Sequence, residues 1–291
     1  MLPSLVARDI EKGLKSYIKN EFPIASAGFQ TADGKSVLDA FLDEPESLTK
    51  GPWVEVKLPF RQSGSDEALP FGALPITKII PGFTPYAHQR KAFERLCGTG
   101  TQSTLIATGT GSGKTECFLL PILDYCLASD KTGIKAILIY PMNALATDQA
   151  KRVASLVKKL QTAGEKKVTV GIYTGESKTW GKSELAPGLM ENRDAIRKNP
   201  PDILLTNYKM LDFLLMRPDD QPLWEGNGSD ILRYLVVDEL HTFDGAQGTD
   251  LACLIRRLRD RLGLTGSLAC VGTSATLGGP ESLQDLCRYA A

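Results

Sequence analysis

The sequence predicts an α/β fold, a parallel sheet with helices on both faces, preceded by a small mixed α+β N-terminal appendage. Three observations predict it. Short apolar runs at residues 103–107, 135–140, 168–172, 203–206, 233–237 and 268–273 are separated by helix-like stretches. Most of these runs are continuously apolar rather than alternating, so the sheet they form is covered on both faces. A glycine-rich turn, Thr108-Gly109-Thr110-Gly111-Ser112-Gly113-Lys114-Thr115, stands between the first run and a second apolar stretch, Cys117-Phe118-Leu119-Leu120. Strand–helix alternation predicts right-handed parallel connections. Ligands of such sheets bind outside the carboxyl ends of the strands.

The N-terminal region differs in pattern. Ile10, Leu14, Tyr17 and Ile18 recur at helical spacing, with Ser4 as the expected N-cap and Pro23 as the stop. Val37, Leu38, Phe41 and Leu42 repeat that spacing over a shorter stretch. Val54, Val56, Leu58 and Phe60 alternate with polar residues or Pro, the period of a half-buried strand. Residues 61–76, rich in Gly, Ser, Pro and acids, read as a linker or surface loop. The expected division is therefore residues 1–78 as an accessory region and 79–291 as the sheet domain. The first part carries no visible chemistry.

Composition bounds the function. Lys+Arg and Asp+Glu both number 34 in 291 residues, so bulk charge decides nothing about a polyanionic partner. Six scattered cysteines without a Cys-x-x-Cys read as free thiols in a reducing compartment, with no zinc site. No run approaches the roughly 20 apolar residues of a membrane span. The N-terminus, acidic at Asp9 and Glu11, lacks a signal-peptide core. The expected location is the cytoplasm, with no membrane partner.

Two stretches carry chemistry. A strand, a glycine turn and a helix in that order form a phosphate cradle, because glycines let backbone N–H groups turn inward without a Cβ in the way. Lys114 adds charge for the β/γ-phosphates, and the Thr115 hydroxyl is placed to ligate Mg²⁺. The strict pattern has Gly where this chain has Thr108. The second stretch, Leu235-Val236-Val237-Asp238-Glu239-Leu240-His241, ends an apolar strand in two carboxylates. Asp238 is placed to hold Mg²⁺, and Glu239 to activate an attacking water. The remaining Gly-x-Gly-Lys-Thr core is specific in this setting, whereas an isolated Asp-Glu pair would read as an exposed strand end; the glycine turn earlier in the same α/β pattern makes that pair read as part of a site.

The ordered set of motifs resembles superfamily 2 DExH helicases. Thr-Gly-Ser-Gly-Lys-Thr at 110–115 is followed by Asp238-Glu239-Leu240-His241 and then Ser274-Ala275-Thr276. Tyr140-Pro141-Met142-Asn143-Ala144-Leu145-Ala146 resembles motif Ia. Tyr173-Thr174-Gly175 and Thr206-Asn207-Tyr208-Lys209-Met210-Leu211 resemble the two backbone-binding motifs after it. Pro85-Tyr86-Ala87-His88-Gln89 resembles the end of the Q-motif. The resemblance covers about residues 80–290. Tyr-Pro-Met-Asn-Ala-Leu-Ala and the run from Asp238 to Gly248 are similar to the Lhr/YprA-like branch. The opening residues and 53–61 resemble the start of large bacterial DUF1998-type helicases that accompany anti-phage systems, those of the Druantia DruE-like type among them.

The resemblance implies a RecA-like P-loop NTPase domain, the first motor domain of an ATP-dependent DNA helicase or translocase. It implies that Gln89 reads adenine and that Thr110, Gly111, Ser112, Gly113, Lys114 and Thr115 hold ATP. Thr115 and Asp238 hold Mg²⁺, and Glu239, with Asp238 and Lys114, carries hydrolysis. His241, Ser274 and Thr276 couple nucleotide state to the nucleic-acid grip. Pro141, Asn143, Ala144, Thr174, Gly175, Thr206 and Asn207 grip backbone phosphates without reading sequence. Lys151, Arg152, Lys158 and Lys159, and Arg256, Arg257, Arg259 and Arg261, lie on outer helix faces that are either solvated or phosphate-binding. The closer resemblance favours DNA over RNA, though no residue decides it. It implies a second RecA-like domain, in the same or another chain, and a defence-system protein partner. No second such domain precedes Ala291, so the chain is expected to be an N-terminal piece or a split gene product, weak or inactive alone. The alternative is a nucleotide-sensing, nucleic-acid-binding or assembly module without turnover; the intact Lys114, Asp238 and Glu239 favour the motor. A P-loop kinase would leave Asp-Glu-x-His and Ser-Ala-Thr without a role.

Overall fold

All six apolar runs form strands of one parallel sheet. The computed structural model describes residues 3–24, 29–30, 34–44, 47–48, 59–64, 68–175, 188–264 and 268–275. The strands are β1 (Thr104–Ala107), β2 (Ala136–Ile139), β3 (Val170–Tyr173), β4 (Leu189–Met190), β5 (Ile203–Thr206), β6 (Tyr234–Val237) and β7 (Ala269–Ser274). They lie in the order β1-β7-β6-β2-β5-β3-β4. β4, two residues long at the sheet edge, is not anticipated by the apolar pattern.

The helices are α1 (Pro3–Glu21), α2 (Val37–Asp43), α3 (Ile76–Ile79), α4 (Ala87–Leu96), α5 (Lys114–Ala128), α6 (Asn143–Thr162), α7 (Arg193–Lys198), α8 (Tyr208–Met216), α9 (Pro222–Glu225) and α10 (Gly245–Arg261). Successive strand side chains point to opposite faces, and β2 shows the consequence. Ala136, Leu138 and Tyr140 enter one core with Phe93, Phe118 and Val153 of α4, α5 and α6. Ile137 and Ile139 enter a second core with Leu211 and Leu214 of α8 and Leu251 and Leu254 of α10. Both faces are covered, which is why the runs are apolar throughout.

By spatial proximity the chain divides into Met1–Pro59 and Phe60–Ala291. In the first unit α1 begins at Pro3, one residue before the expected cap Ser4, and Lys19 pairs with Asp39 of α2 at 2.7 Å. The strand expected over 53–60 falls on 53–58, outside the described residues. The described residues of 60–78 pack with the sheet. The buried carboxylate of Asp124 on α5 accepts from the N–H groups of Ala73 and Leu74 at 2.7 and 2.8 Å. Leu74 and Ile79 join the core. Arg61 O accepts from Ala87 N, and Pro85 O from Ser63 N. These bonds group the described residues between Phe60 and Lys78 with the sheet by proximity.

Candidate active site

The parallel register aligns the strand ends that carry the motifs. Ala107 of β1 lies beside Ser274 of β7, Val237 of β6 beside Ile139 of β2, and Thr206 of β5 beside both Ile139 and Tyr173. The glycine turn leaves β1 and enters α5 through two left-handed residues, Gly111 (φ 77°) and Gly113 (φ 75°). Gly113 has a second constraint: a Cβ there would meet Gln89 Nε2 at 2.4 Å.

Within the turn, side chains bond to the loop itself. Lys114 Nζ donates to Thr108 O at 2.9 Å and Gly109 O at 3.3 Å. The Thr108 and Ser112 hydroxyls pair at 2.6 Å, so Thr108, the departure from the strict pattern, has a bonding role. Gln89 is buried. One of its amide N–H groups donates to Gly113 O at 3.1 Å, and its Oε1 accepts from Tyr86 N at 2.9 Å. One N–H and one lone pair remain for another partner. Thr110 and Gly111 are exposed, whereas Ser112 is fully buried.

His88 is a contributor the sequence reading did not assign. Its Nε2 lies 2.9 Å from Ser112 O, and because a carbonyl only accepts, Nε2 carries the proton. Burial pushes His88 below its ordinary range, Lys114 pushes the same way, and the bond to Ser112 opposes both. The His88 ring stacks on Tyr86 at 5.7 Å and meets Phe60 edge-on at 5.8 Å. Phe60 in turn lies against Gly109. Burial pushes the Cys117 thiol up to about 12, so it is no nucleophile here.

The Asp-Glu end of β6 is tied to β7 through Thr273, which motif reading also passed over. The buried Thr273 hydroxyl donates to Asp238 Oδ1 and accepts from Glu239 N, the latter at 3.2 Å. Glu239 has φ 50°, the one non-glycine residue in the left-handed region among the described residues. Such backbone costs energy and concentrates at functional sites. Glu239 Oε2 is 3.4 Å from His241 Nδ1, and that nitrogen is 3.1 Å from Ser274 Oγ. His241 and Ser274, the two expected coupling residues within the described chain, are therefore in contact. Thr276 lies outside it, as do residues 282–289.

The expected backbone-gripping residues form a second cluster. Asn207 caps α8 by accepting from Met210 N at 2.8 Å, and its amide donates to Asn143 Oδ1 at 2.7 Å. Thr206 is fully buried, and its hydroxyl donates to Tyr173 O at 2.7 Å. Thr174 is buried too, leaving Gly175 exposed. Arg193 Nη2 donates to Thr174 O at 3.2 Å and Gly175 O at 2.8 Å. Tyr173 OH donates to the fully buried Asp220 at 2.8 Å, which Arg197 Nε also reaches at 2.7 Å. Burial and that bond push the Tyr173 hydroxyl up to about 12, so it stays a donor. Pro141 is half-buried and Ala144 exposed at the start of α6.

This fold and these turns define a P-loop nucleotide-binding domain of the RecA-like kind. The sequence profile of the DEAD/DEAH box helicase family matches residues 86–286, and the chain belongs to that family. Druantia protein DruE of Escherichia coli (strain UMEA 4076-1) is 27% identical, over 97% of this chain and 21% of its own length. The uncharacterized ATP-dependent helicase YprA of Bacillus subtilis (strain 168) is 31% identical, over 68% of this chain and 24% of its own. The crystal structure of the DUF1998 helicase MrfA bound to DNA and AMPPNP superposes with a TM-score of 0.59 at 28% identity. It covers 78% of this chain and 29% of MrfA. The chain thus resembles the Lhr/YprA-like branch and spans less than a third of each of these relatives. No helix among the described residues is long and apolar enough to cross a membrane.

Proposed function

We propose that this chain is the first motor domain of an ATP-dependent DNA helicase or translocase. Residues 79–291 would form the ATP-binding unit and 1–78 an accessory region, of which the described residues from Phe60 on pack with the sheet. The observation that carries the reading is the joining of the Asp238-Glu239 turn to β7 through Thr273 and Ser274, beside the glycine turn that leaves β1. A nucleotide's phosphates would lie against the backbone N–H groups of 111–115, and Lys114 would exchange its loop carbonyls for phosphate oxygens. Gln89 keeps a spare donor and acceptor for the base. Thr115 and Asp238 would hold Mg²⁺, which when bound offsets phosphate charge and orients the reacting group. Glu239, with one carboxylate oxygen lacking a hydrogen-bond partner among the described residues, would take a proton from water.

Nucleic acid would lie across Pro141, Asn143, Ala144, Thr174, Gly175, Thr206 and Asn207. Thr174 and Thr206 would act through their backbone, since their side chains are buried. DNA is favoured because the similar MrfA structure is bound to DNA. A second RecA-like domain would complete the ATP site. Likeness along nearly the whole chain to a Druantia protein supports a place in anti-phage defence, in the cytoplasm and with a defence-system partner.

The test is ATP hydrolysis with and without single-stranded DNA or RNA, in a protein that includes the second RecA-like domain. Wild type is compared with Lys114→Ala and Glu239→Gln. Stimulation by DNA that both changes abolish is the expected result. Nucleotide binding without turnover in that wild-type protein would instead indicate a sensing or assembly module.

A further inference from the structure

One charged pair in the nucleotide groove has no role in the reading above. Glu116 follows Thr115 in the first turn of α5, and Arg152 projects from α6. Both line the same cavity of about 560 Å³ as Phe83, Tyr86, Gln89 and the glycine turn. Arg152 Nη2 donates to Glu116 Oε1. The other oxygen, Oε2, is buried and finds no hydrogen-bond partner among the described residues. Such an atom in a binding groove calls for a donor that the protein itself does not supply.

Gly113 fixes where that donor would come from. A Cβ built on Gly113 lies 3.1 Å from Glu116 Oε2 and 2.4 Å from Gln89 Nε2. The carboxylate and the amide therefore converge on one glycine. A nucleotide whose phosphates lie on the turn and whose base reaches Gln89 has its sugar between them, beside Gly113. Ribose presents two hydroxyl donors there, and a carboxylate only accepts. A lone carboxylate next to a polyphosphate would repel it; the Arg152 guanidinium cancels that charge and leaves Oε2 as an acceptor.

We propose that Glu116, oriented by Arg152, accepts from the ribose hydroxyls and makes this site select ribonucleotides over deoxyribonucleotides. The proposal rests on the nucleotide-site reading. Calorimetric titration with ATP, 2′-deoxy-ATP and 3′-deoxy-ATP tests it, in a protein that includes the second RecA-like domain, as wild type, Glu116→Ala and Arg152→Gln, each confirmed folded by circular dichroism. A charge-assisted hydrogen bond predicts that wild type binds ATP about tenfold or more tightly than at least one deoxy analogue. Glu116→Ala should bring ATP down to the analogue's affinity while the analogue changes less than about threefold. Arg152→Gln, which frees the carboxylate to turn away, should narrow the preference without removing binding. Equal affinity for all three nucleotides in wild type, or a preference that survives Glu116→Ala, overturns the proposal alone. Binding of none of them by wild type overturns the nucleotide-site reading beneath it.

Discussion

The glycine turn and the proposed backbone-gripping turns sit at the same end of one sheet, yet their side chains satisfy their polar groups in different ways. In the glycine turn the loop's own side chains bond within it, Lys114 to Thr108 O and Gly109 O and Thr108 to Ser112, while His88 and Gln89 of α4 hold Ser112 O and Gly113 O from outside. A ligand there replaces internal partners. In the other cluster the bonds join distant segments: Asn207 to Asn143, Thr206 to Tyr173, Arg193 to Thr174 and Gly175, and Asp220 to Tyr173 and Arg197. A strand of nucleic acid there would meet backbone already held in place. The difference separates a site that reorganises from one that is assembled beforehand.

The sharpest way to break that comparison is Lys114→Ala. It should lower nucleotide affinity and turnover by about 100-fold, the scale of losing a preorganised charge on developing phosphate charge, and leave DNA affinity within about threefold. Calorimetry and fluorescence anisotropy measure the two arms; a parallel loss of both would mean the regions are one unit. Next is Thr273→Val, which removes the hydroxyl joining Asp238 to Glu239 N. Leaving that carboxylate short of a buried donor should cost about 1–3 kcal/mol of stability. It should slow hydrolysis about tenfold with ATP affinity within about threefold, since orientation rather than binding is lost. Denaturant unfolding and steady-state kinetics separate the effects.

These expectations also mark what the sequence made legible. The strands were readable because a sheet covered on both faces needs unbroken apolar runs, as β2, β5 and β6 show. The glycine turn was readable because two left-handed positions and a phosphate cradle restrict the residue types. Thr273, His88 and Asp220 were not readable, because their roles arise only when distant segments meet. Asp220 stands in a Pro-Asp-Asp stretch that looks like an exposed turn, yet Tyr173 and Arg197 bury it completely. The left-handed backbone of Glu239 has no sequence signal either, since a glutamate gives no hint of positive φ. The packing of residues 60–78 depends on Asp124, about fifty positions later.

A smaller effect sharpens the second half of the comparison. Tyr173→Phe deletes the bond to Asp220 while keeping the ring beneath Arg193, whose guanidinium lies 5.6 Å from its centroid. The loss should be about 1.5–3 kcal/mol of stability, the range for a hydrogen bond to a charged group. If the turn is assembled beforehand, DNA affinity falls only a few-fold and its salt dependence keeps the same slope, because no phosphate-bound cation is removed. A changed slope in anisotropy titrations across salt would show Arg193 or Arg197 moving onto the backbone instead.

The smallest effect lies at His88 and is a matter of pH. Its folded pKa is depressed by burial, with Lys114 adding to the shift, below an ordinary value of 6.5. The unfolded chain therefore binds more protons than the folded one once pH drops below that value. Stability is fully present above it and is lost as pH falls toward the depressed folded value. His88→Gln keeps an N–H to donate to Ser112 O and removes the titration. The wild-type urea midpoint should therefore fall more than the variant's between about pH 7.5 and about pH 5.5, and by a small amount because the ring is only half-buried. Identical pH profiles would mean that the ring swings out to solvent when protonated and leaves Ser112 O to water. In that case the glycine turn loses its tie to α4 through His88 even without a ligand.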